Sequence, residues 1–392
     1  MVVDVRGWSR ARYVDVVVPP SRADGGPLSP LPRPRRSVPV HAQWEDLLLR
    51  HEVPAPSHPL ALEIFRAHHP ARRTLFLPVG EPVAAGAVLR VGQVAGVTTV
   101  TSPGEPGVPV ALPVDDPGAA DRFARELAAW LASRRHGWVL QLGPVPLRTA
   151  DGSGAGPGSG PGSGSGSVVA ALRRHLPGLA VLDGPGMPCL GVGPDDDPLV
   201  RVSRNSRAAE HRTLNRAARQ GLELVPTWYR SGGDVRARLP EIVALHRRRN
   251  RQVRGRAQLD VRAKADYFVD VVARHAYAGR AQVLTVDVDD RLAAFAVCLR
   301  AGSTAYVYSN LVDPDALALG AGTFANVAVV RHHLAEPWCT ELNWGPGVQR
   351  YKLSGGARVV PTVELHAASG DLARQVVGAH RRMASRLSRP GD

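Results

Sequence analysis

The sequence predicts a mixed α/β (α+β) protein of two units, each a mostly antiparallel sheet flanked by helices. Three observations carry that prediction. Strand-like runs at Gln282–Val288, Arg291–Arg300 and Ser303–Val312 follow one another across the two-residue turns Asp289-Asp290 and Ala301-Gly302, which makes them an antiparallel meander. A glycine-containing loop from Asp313 to Gly322 then opens a helical run to about Ala335, followed by a strand at Thr340–Trp344. The N-terminal half repeats strand and helix patterns of its own. A chain of 392 residues with 44% apolar content can bury more than one core, and two units are expected.

Residues 1–37 end in PPSRADGGPLSPLPRPRRS, a basic stretch rich in Pro that cannot form a core and reads as an arm outside the fold. From about Val38 the first unit begins, with helices expected around Gln43–Arg50 and Pro59–His68. Strands follow at Thr74–Val79, Ala84–Val91 and Val97–Thr101, then an amphipathic helix at Ala119–Arg135 and a strand at Trp138–Leu142. Asp151–Ser167 contains only Gly, Ser, Pro, Ala and one Asp, so it reads as a long flexible loop. A short helix at Val168–Leu176 and a strand at Leu179–Leu182 complete the unit, and a boundary is expected near 194–198, where GPDDDP breaks the pattern.

The second unit, 199–392, starts with a basic helix at Ser203–Gln220 and a strand at Leu222–Tyr229. Helices at Val235–Arg251 and Val261–Ala278 precede the meander. After Thr340–Trp344 come a Gly-Pro-Gly turn, Tyr351-Lys352, one strand at Arg358–His366 and an amphipathic helix at Asp371–Leu387.

Composition narrows the function classes. No charged leader precedes an apolar run and no stretch is long enough to cross a bilayer, so a soluble, cytoplasmic protein without a membrane span is expected. Cys189, Cys298 and Cys339 stand apart without metal-ligand or disulfide spacing and read as small core residues; a reactive thiol is the alternative at Cys339. His68-His69 and His332-His333 are adjacent pairs that diverge on a helix, so no metal site is expected.

A net charge of +14 would ordinarily raise nucleic-acid binding. Only Lys264 and Lys352 are lysines among the 49 basic residues, and Ala, Gly, Pro and Val are also abundant, so part of the arginine excess reflects coding bias. Its clustering is more informative: fifteen arginines fall between Arg201 and Arg256, against four acidic residues. That segment should attract anions. Neither a groove-reading motif nor interleaved stacking aromatics accompanies it, which argues against DNA as the partner.

The second unit resembles the GNAT acyltransferases, and within them the acetyltransferase family associated with cellulose biosynthesis (CelD/BcsL-like, also called BioF2-like), itself related to the Fem-type aminoacyltransferases of peptidoglycan assembly. The resemblance rests on SRNSRAAEHRTLNRAARQG at Ser203–Gly221, ALHRRRNRQ, the hairpin DVDDRLAAFAV, YSNLVDPDALALGAGTFANVAVV, and NWGPGVQRYK ending at Lys352. Within the first unit WVLQLGPVP at Trp138–Pro146 fits best, as part of a degenerate GNAT-like half. The resemblance implies tandem GNAT-like domains and transfer of an acyl group, most simply acetyl from acetyl-CoA, to an amine or hydroxyl of a sugar, polysaccharide precursor or small metabolite. Direct attack on the thioester is implied, without a covalent enzyme intermediate.

Such chemistry needs a cradle for the pyrophosphate arm, donors for the oxyanion and an acid for the departing thiolate. The run Gly320-Ala321-Gly322-Thr323 precedes a helix, where amides can approach phosphate and the dipole favours negative charge; glycines that only permit a turn are the plain alternative. The broad superfamily has Gln or Arg at the place of Leu317, and the narrower family usually has Pro at that of Ala321. The resemblance makes backbone N–H groups near Asn310 and Leu311 the carbonyl-polarising donors, if the strands splay. It makes Tyr351 the acid for the CoA sulfur, with sheet packing as the alternative, and gives Lys352 a phosphate or an oxyanion. Asn343 stands where the family commonly has Asp and cannot serve as a base.

For proton removal the candidates are His246, Asp313, Glu341 and a water chain; Arg247, Arg248 and Arg249 would keep His246 neutral if they crowd it. Arg204, Arg207 and Arg248 are the expected contacts of an anionic acceptor, such as a nucleotide-linked or acidic sugar. Two further functions stay open. One is aminoacyl transfer from aminoacyl-tRNA, although no long coiled-coil insertion is apparent; the other is a non-catalytic anion-binding descendant, suggested by Asn343 and Leu317. Nothing in the sequence fixes an oligomeric state.

Overall fold

The computed structural model describes residues 40–51, 57–69, 73–94, 96–103, 108–110, 112–135, 137–147, 165–192, 202–353 and 356–370. The expected arm at 1–37, positions 151–164 of the Gly/Ser stretch, the boundary near 194–198 and the terminal helix at 371–387 lie outside the described residues.

The N-terminal half begins with helices α1 (Val40–Arg50) and α2 (Pro59–His68). Strands β1 (Arg73–Val79), β2 (Ala85–Val94) and β3 (Val97–Thr101) follow, then helix α3 (Pro117–Ala132), β4 (Trp138–Pro146), α4 (Ser165–His175) and β5 (Ala180–Asp183). Helix α3 starts where Asp116 accepts a hydrogen bond from Ala119 N at 2.8 Å and Pro117 supplies a preset φ. Its Phe123, Leu127 and Leu131 recur every four residues and bury one stripe against Leu89, Leu140 and Leu172. On β1, Leu75 and Leu77 point to that core while Phe76 points away, edge-on to Trp44 of α1 at 5.3 Å. The Gly/Ser stretch is shorter than its composition implies, because Ser165–Ser167 already form the first residues of α4.

The C-terminal half contains β6 (Met187–Gly191), α5 (Arg204–Arg219), β7 (Leu224–Tyr229), α6 (Gly232–Arg254) and α7 (Arg262–Tyr277). Strands β8 (Ala281–Val288), β9 (Arg291–Ala301) and β10 (Thr304–Val312) form the expected meander. Asp289 and Asp290 both adopt left-handed φ, 47° and 61°, the two-residue turn that matches strand twist. The next turn falls one residue later than expected, on Gly302-Ser303. Helix α8 (Ala321–Ala335), β11 (Glu341–Asn343), β12 (Arg358–Val360) and β13 (Thr362–Ser369) complete the order.

Two mixed sheets result, with strand orders β1-β2-β3-β4-β13-β5 and β12-β6-β11-β10-β9-β8-β7. The pairs β3–β4 and β10–β11 are parallel and every other pair is antiparallel. Each sheet takes a strand from the far side of the expected boundary: β6 joins the second sheet and β13 the first. The single strand expected at Arg358–His366 is therefore two. Pro361 divides them because it has no N–H for a ladder, and its carbonyl accepts from Leu147 N at 2.8 Å.

Helices α6 and α7 cover one face of the second sheet, burying Leu239, Ile242, Phe268 and Val272 on Phe295, Val297 and Tyr306. Helix α2 adds Ile64 and Phe65 to that core and docks on α7 through His68 and Asp270 at 2.8 Å. The opposite face, with Leu284, Ala294, Ala296 and Val307, packs on α8. Helix α5 lies across α8, where Glu210 pairs with Arg331 at 2.6 Å. Among the described residues no helix is long and apolar enough to cross a membrane.

Candidate functional site

Strand β10 pairs with β11 only from Thr304–Glu341 to Tyr306–Asn343, yet it continues to Val312. The two parallel strands part there. A bulge between Val307 and Ser309 leaves Tyr308 without a β9 partner and bends β10 at the parting. The other cause lies in the turn after β11. Asn343 Oδ1 accepts from Gly345 N at 2.8 Å, and Gly345 and Gly347 take left-handed φ of 70° and 91° on either side of Pro346. Lys352 Nζ donates to Pro346 O at 2.9 Å and to Gly345 O at 3.4 Å, which holds the turn out of the sheet plane.

These contacts correct two expected roles. Asn343 is 1% exposed and Lys352 6%; Asn343 Oδ1 and Lys352 Nζ bond to the turn, while Asn343 Nδ2 lies 3.5 Å from Met187 Sδ. Burial pulls the Lys352 ammonium down from its ordinary 10.5 to about 8. Both residues hold the turn that lies beside the parting of the strands.

Register decides which amide faces the gap. Asp313 N donates to Ala293 O at 2.7 Å, so the alternate residues Leu311 and Ser309, paired with Phe295 and Val297, also turn their amides to β9. The amide of Asn310 then points to the side that β11 has left. Of the two expected donors, Asn310 has the required direction and Leu311 does not.

Beyond β10, Asp313 caps a short 3-10 turn (Pro314–Ala316) by accepting from Asp315 N at 3.1 Å, and the chain enters α8 at Gly320. Gly320 has φ of 94° and offers no side-chain cap; the amides of Thr323 and Phe324 bond to its carbonyl, so those of Ala321 and Gly322 fall in the turn for which a helix supplies no acceptor. A Cβ on Gly320 would lie 2.5 Å from Thr213 Oγ1, and one on Gly322 would lie 3.2 Å from Val312. Helix α5 fixes the loop from outside: Thr213 donates to Ala209 O at 3.0 Å, and the Arg216 guanidinium donates to Ala318 O. Ala321 is buried while Thr323 is exposed. Gly320→Ala is expected to cost about 1–3 kcal/mol, because a left-handed φ and a blocked Cβ act together, and thermal unfolding reads it. An unchanged midpoint would mean that the loop can relax.

The first turns of α8 open on a cleft of about 390 Å3, mouth included, between α5 and the segment after β11. Val202 and Ser206 form one wall, Thr323, Asn326 and Val327 the floor, and Trp344 and Tyr351 the far side. The Tyr351 phenol, in a residue 37% exposed, lies 3.5 Å from Asn310 Oδ1, and Asn310 Nδ2 donates to Asn326 Oδ1 at 3.1 Å. Burial raises the phenol above its ordinary value of 10, and the Asn310 contact opposes that. Trp344 stands edge-on to Tyr351 at 5.9 Å; it is 2% exposed, and its indole N–H has no partner among the described residues.

The remaining expected residues divide between the faces of the sheet. Arg204 is exposed on the first turn of α5 and Arg207 is half-buried and already engaged, both on the α8 side. Arg248 is on α6, across the sheet, paired with the buried carboxylate of Asp313. The structure therefore does not unite these three around one acceptor. His246 is also on α6, within 6.0 Å of the Phe268 ring, which stacks at 5.9 Å on Tyr308 at the bulge. Burial first and Arg254 second push His246 below its ordinary 6.5, so Arg254 does what was expected of Arg247–Arg249. Cys339 is 4% exposed and burial pushes its thiol up to about 12, which makes it a core residue. His332 bonds to Gln282 at 2.9 Å and His333 to Val329 O at 2.9 Å, so the pair diverges as expected.

Sequence reasoning missed Asn326, Trp344 and Ser206. A signal existed for the first: Asn326 interrupts an apolar helix three residues after Thr323, on the same face. Trp344 and Ser206 reach the cleft only through pairing and packing that leave no local trace.

A family model for the acetyltransferase (GNAT) domain matches residues 205–353. No curated protein matches the chain. Among solved structures the chain is similar to FemX, with a TM-score of 0.60 at 10% identity, covering 86% of this chain and 98% of that one. It is also similar to a conserved protein of unknown function from Bacteroides thetaiotaomicron, with a TM-score of 0.50 at 11% identity over 85% and 98% of the two chains. A third likeness, with a TM-score of 0.50 at 14% identity over 87% and 96%, is to the C-terminal domain of a protein assigned as a lysylphosphatidylglycerol synthetase from Agrobacterium fabrum. At these identities the structural likenesses concern the fold alone.

Proposed function

We propose that the chain transfers an acyl group, most simply acetyl, from CoA to an amine or hydroxyl, on the ground that residues 205–353 match a family model for the acetyltransferase (GNAT) domain. The observation that carries this reading is the parting of β10 from β11 near a cleft lined by Thr323 of the first turn of α8 and by Tyr351. In it the amides of Ala321 and Gly322 receive the diphosphate, with the Thr323 side chain and Arg216 beside them, and the Asn310 amide polarises the thioester carbonyl. Tyr351 gives its proton to the sulfur as the C–S bond breaks, while the acceptor attacks directly and loses its own proton to water. An anionic sugar or polysaccharide precursor is the proposed acceptor, and Arg204 on the α8 side is its proposed contact. Residues 199–392 are proposed as the catalytic unit and 38–198 as a degenerate partner, working in the cytoplasm where acyl-CoA is made.

Calorimetry with acetyl-CoA tests the reading. Saturable binding that weakens in Gly320→Ala is the expected result; no binding by acetyl-CoA or longer acyl-CoAs would remove it. A second reading has its own support: the likeness to FemX runs along nearly the whole of both chains, and fifteen arginines crowd Arg201–Arg256. Under it an aminoacyl-tRNA is the donor, transfer depends on added tRNA, and the rate falls steeply with salt.

A further inference from the structure

The Tyr351 phenol does not meet Asn310 alone. Asn310 Nδ2 donates to Asn326 Oδ1 at 3.1 Å, which leaves Asn310 Oδ1 to face the phenol at 3.5 Å. In this direction the phenol's proton points at an amide oxygen and away from any sulfur in the cleft. An amide carries a donor and an acceptor on one plane, so a half-turn of both amides reverses the chain without breaking it. Asn326 then donates, Asn310 Oδ1 accepts, and Asn310 Nδ2 donates to the phenol oxygen. The Asn310–Asn326 bond survives in either direction, while the phenol exchanges the part of donor for that of acceptor.

We propose that Asn326 is a positioning residue that, through Asn310, switches Tyr351 between a resting state whose proton is held by Asn310 and an acting state whose proton faces the leaving sulfur. In the acting state the phenol gives its proton to the thiolate as the C–S electron pair moves to sulfur. The phenolate left behind accepts from Asn310 Nδ2, and the proton released by the acceptor restores it through water. The long 3.5 Å contact suits a bond that must be given up, while the shorter amide–amide bond keeps the two side chains turning together. Besides Tyr351, the polar residues of the cleft are Ser206, Thr323, Asn326 and Trp344; among the described residues no charged side chain lines it, and the Lys352 amine beside Tyr351 in sequence is held by Gly345 O and Pro346 O. Asn326 stands on α8 and Asn310 on β10, so the relay depends on the packing that also forms the diphosphate cradle.

This inference rests on the reading of Tyr351 as the acid, but its test does not require turnover. The phenol is titrated by tyrosinate absorbance in the intact chain, each variant being compared with its own Tyr351→Phe counterpart. Asn326→Asp can only accept, so it locks the relay in the resting direction and leaves a phenolate facing an amide oxygen. Its acid constant is expected to fall about tenfold or more, as a lost charge-assisted hydrogen bond implies. Ser206→Asp puts the same charge on the opposite wall without touching Asn310, and is expected to move the phenol far less. Asn326→Ser, whose hydroxyl can run in either direction, is expected to restore the ordinary titration. Where acyl transfer is measurable, Asn326→Asp should lower kcat about tenfold with KM for the donor unchanged. Equal shifts in the two Asp variants, or no shift in Asn326→Asp, would overturn the relay. A selective shift in a protein that transfers no acyl group would support the relay and remove the acyl-CoA reading alone.

Discussion

Tyr351→Phe is expected to lower kcat by about 10²–10³-fold while KM for the acyl donor stays within about threefold, the pattern of an interaction made only in the transition state. The substitution keeps the ring against Trp344 and deletes the oxygen that faces Asn310. In energy the loss is about 3–4 kcal/mol, more than the one or so that a neutral, half-exposed hydrogen bond contributes to folding, so the melting midpoint should barely move. A donor whose thiol leaves easily, such as a thiophenyl ester, needs no acid and should recover most of the rate. Unchanged kcat would reduce Tyr351 to an aromatic that packs on the sheet. Failure of the activated thioester to rescue the variant would place the loss in binding geometry instead.

The second large effect is on stability and belongs to Lys352. Its ammonium is buried against two carbonyls, Gly345 O and Pro346 O, and titrates at about 8 where the unfolded chain titrates near 10.5. Between those values the unfolded state binds more protons than the folded one, so stability rises with pH across that window. Below pH 8 the full penalty of a buried charge is present; above about 10.5 the neutral amine still donates to both carbonyls without it. The difference of 2.5 units corresponds to about 3 kcal/mol. Urea denaturation at intervals from pH 7 to 10.5 should therefore show wild type gaining about that much on Lys352→Met, whichever is the more stable at pH 7. Parallel stability profiles would mean that the ammonium is solvated in the folded state.

The cost of burying Lys352 explains a misreading. A lysine beside a tyrosine after a sheet strand suggests a ligand for phosphate, because sequence reveals the charge and not its direction. The fold turns the amine inward, where it and Asn343 hold the Gly-Pro-Gly turn away from β10 and so open the gap the chemistry needs. Asn343 also has a structural part there, because its amide oxygen accepts from Gly345 N where β11 ends. Arg204, Arg207 and Arg248 were grouped by residue type, and the sheet places Arg248 on the other face.

Local chemistry made other features legible. Alternation every two residues and apolar spacing every three or four located nearly all of the strands and helices, and the Asp289-Asp290 pair declared its turn. The Gly320–Thr323 entry to α8 was legible because a left-handed φ at a helix start calls for glycine. Strand β6 was not: Met187–Gly191 holds a proline and ends on glycine, so its local propensity is poor, and it is a strand only because β11 and β12 flank it.

By itself, then, the sequence determined the order of elements, the meander, the glycine entry to α8 and the placing of a tyrosine just beyond the last parallel strand, since each depends on neighbours a few residues apart. Only the tertiary structure decided that β6 and β13 change sheets, that Asn310 alone turns its amide to the gap, that Lys352 and Asn343 build the opening, and that Asn326 reaches Tyr351 through Asn310. Apart from the Lys352 and Asn343 contacts, which span two to seven positions, those outcomes follow from pairings between residues tens to hundreds of positions apart. Hydrogen-bond direction and burial are set there by whichever strand or helix lies alongside, and no short window of sequence records the neighbour.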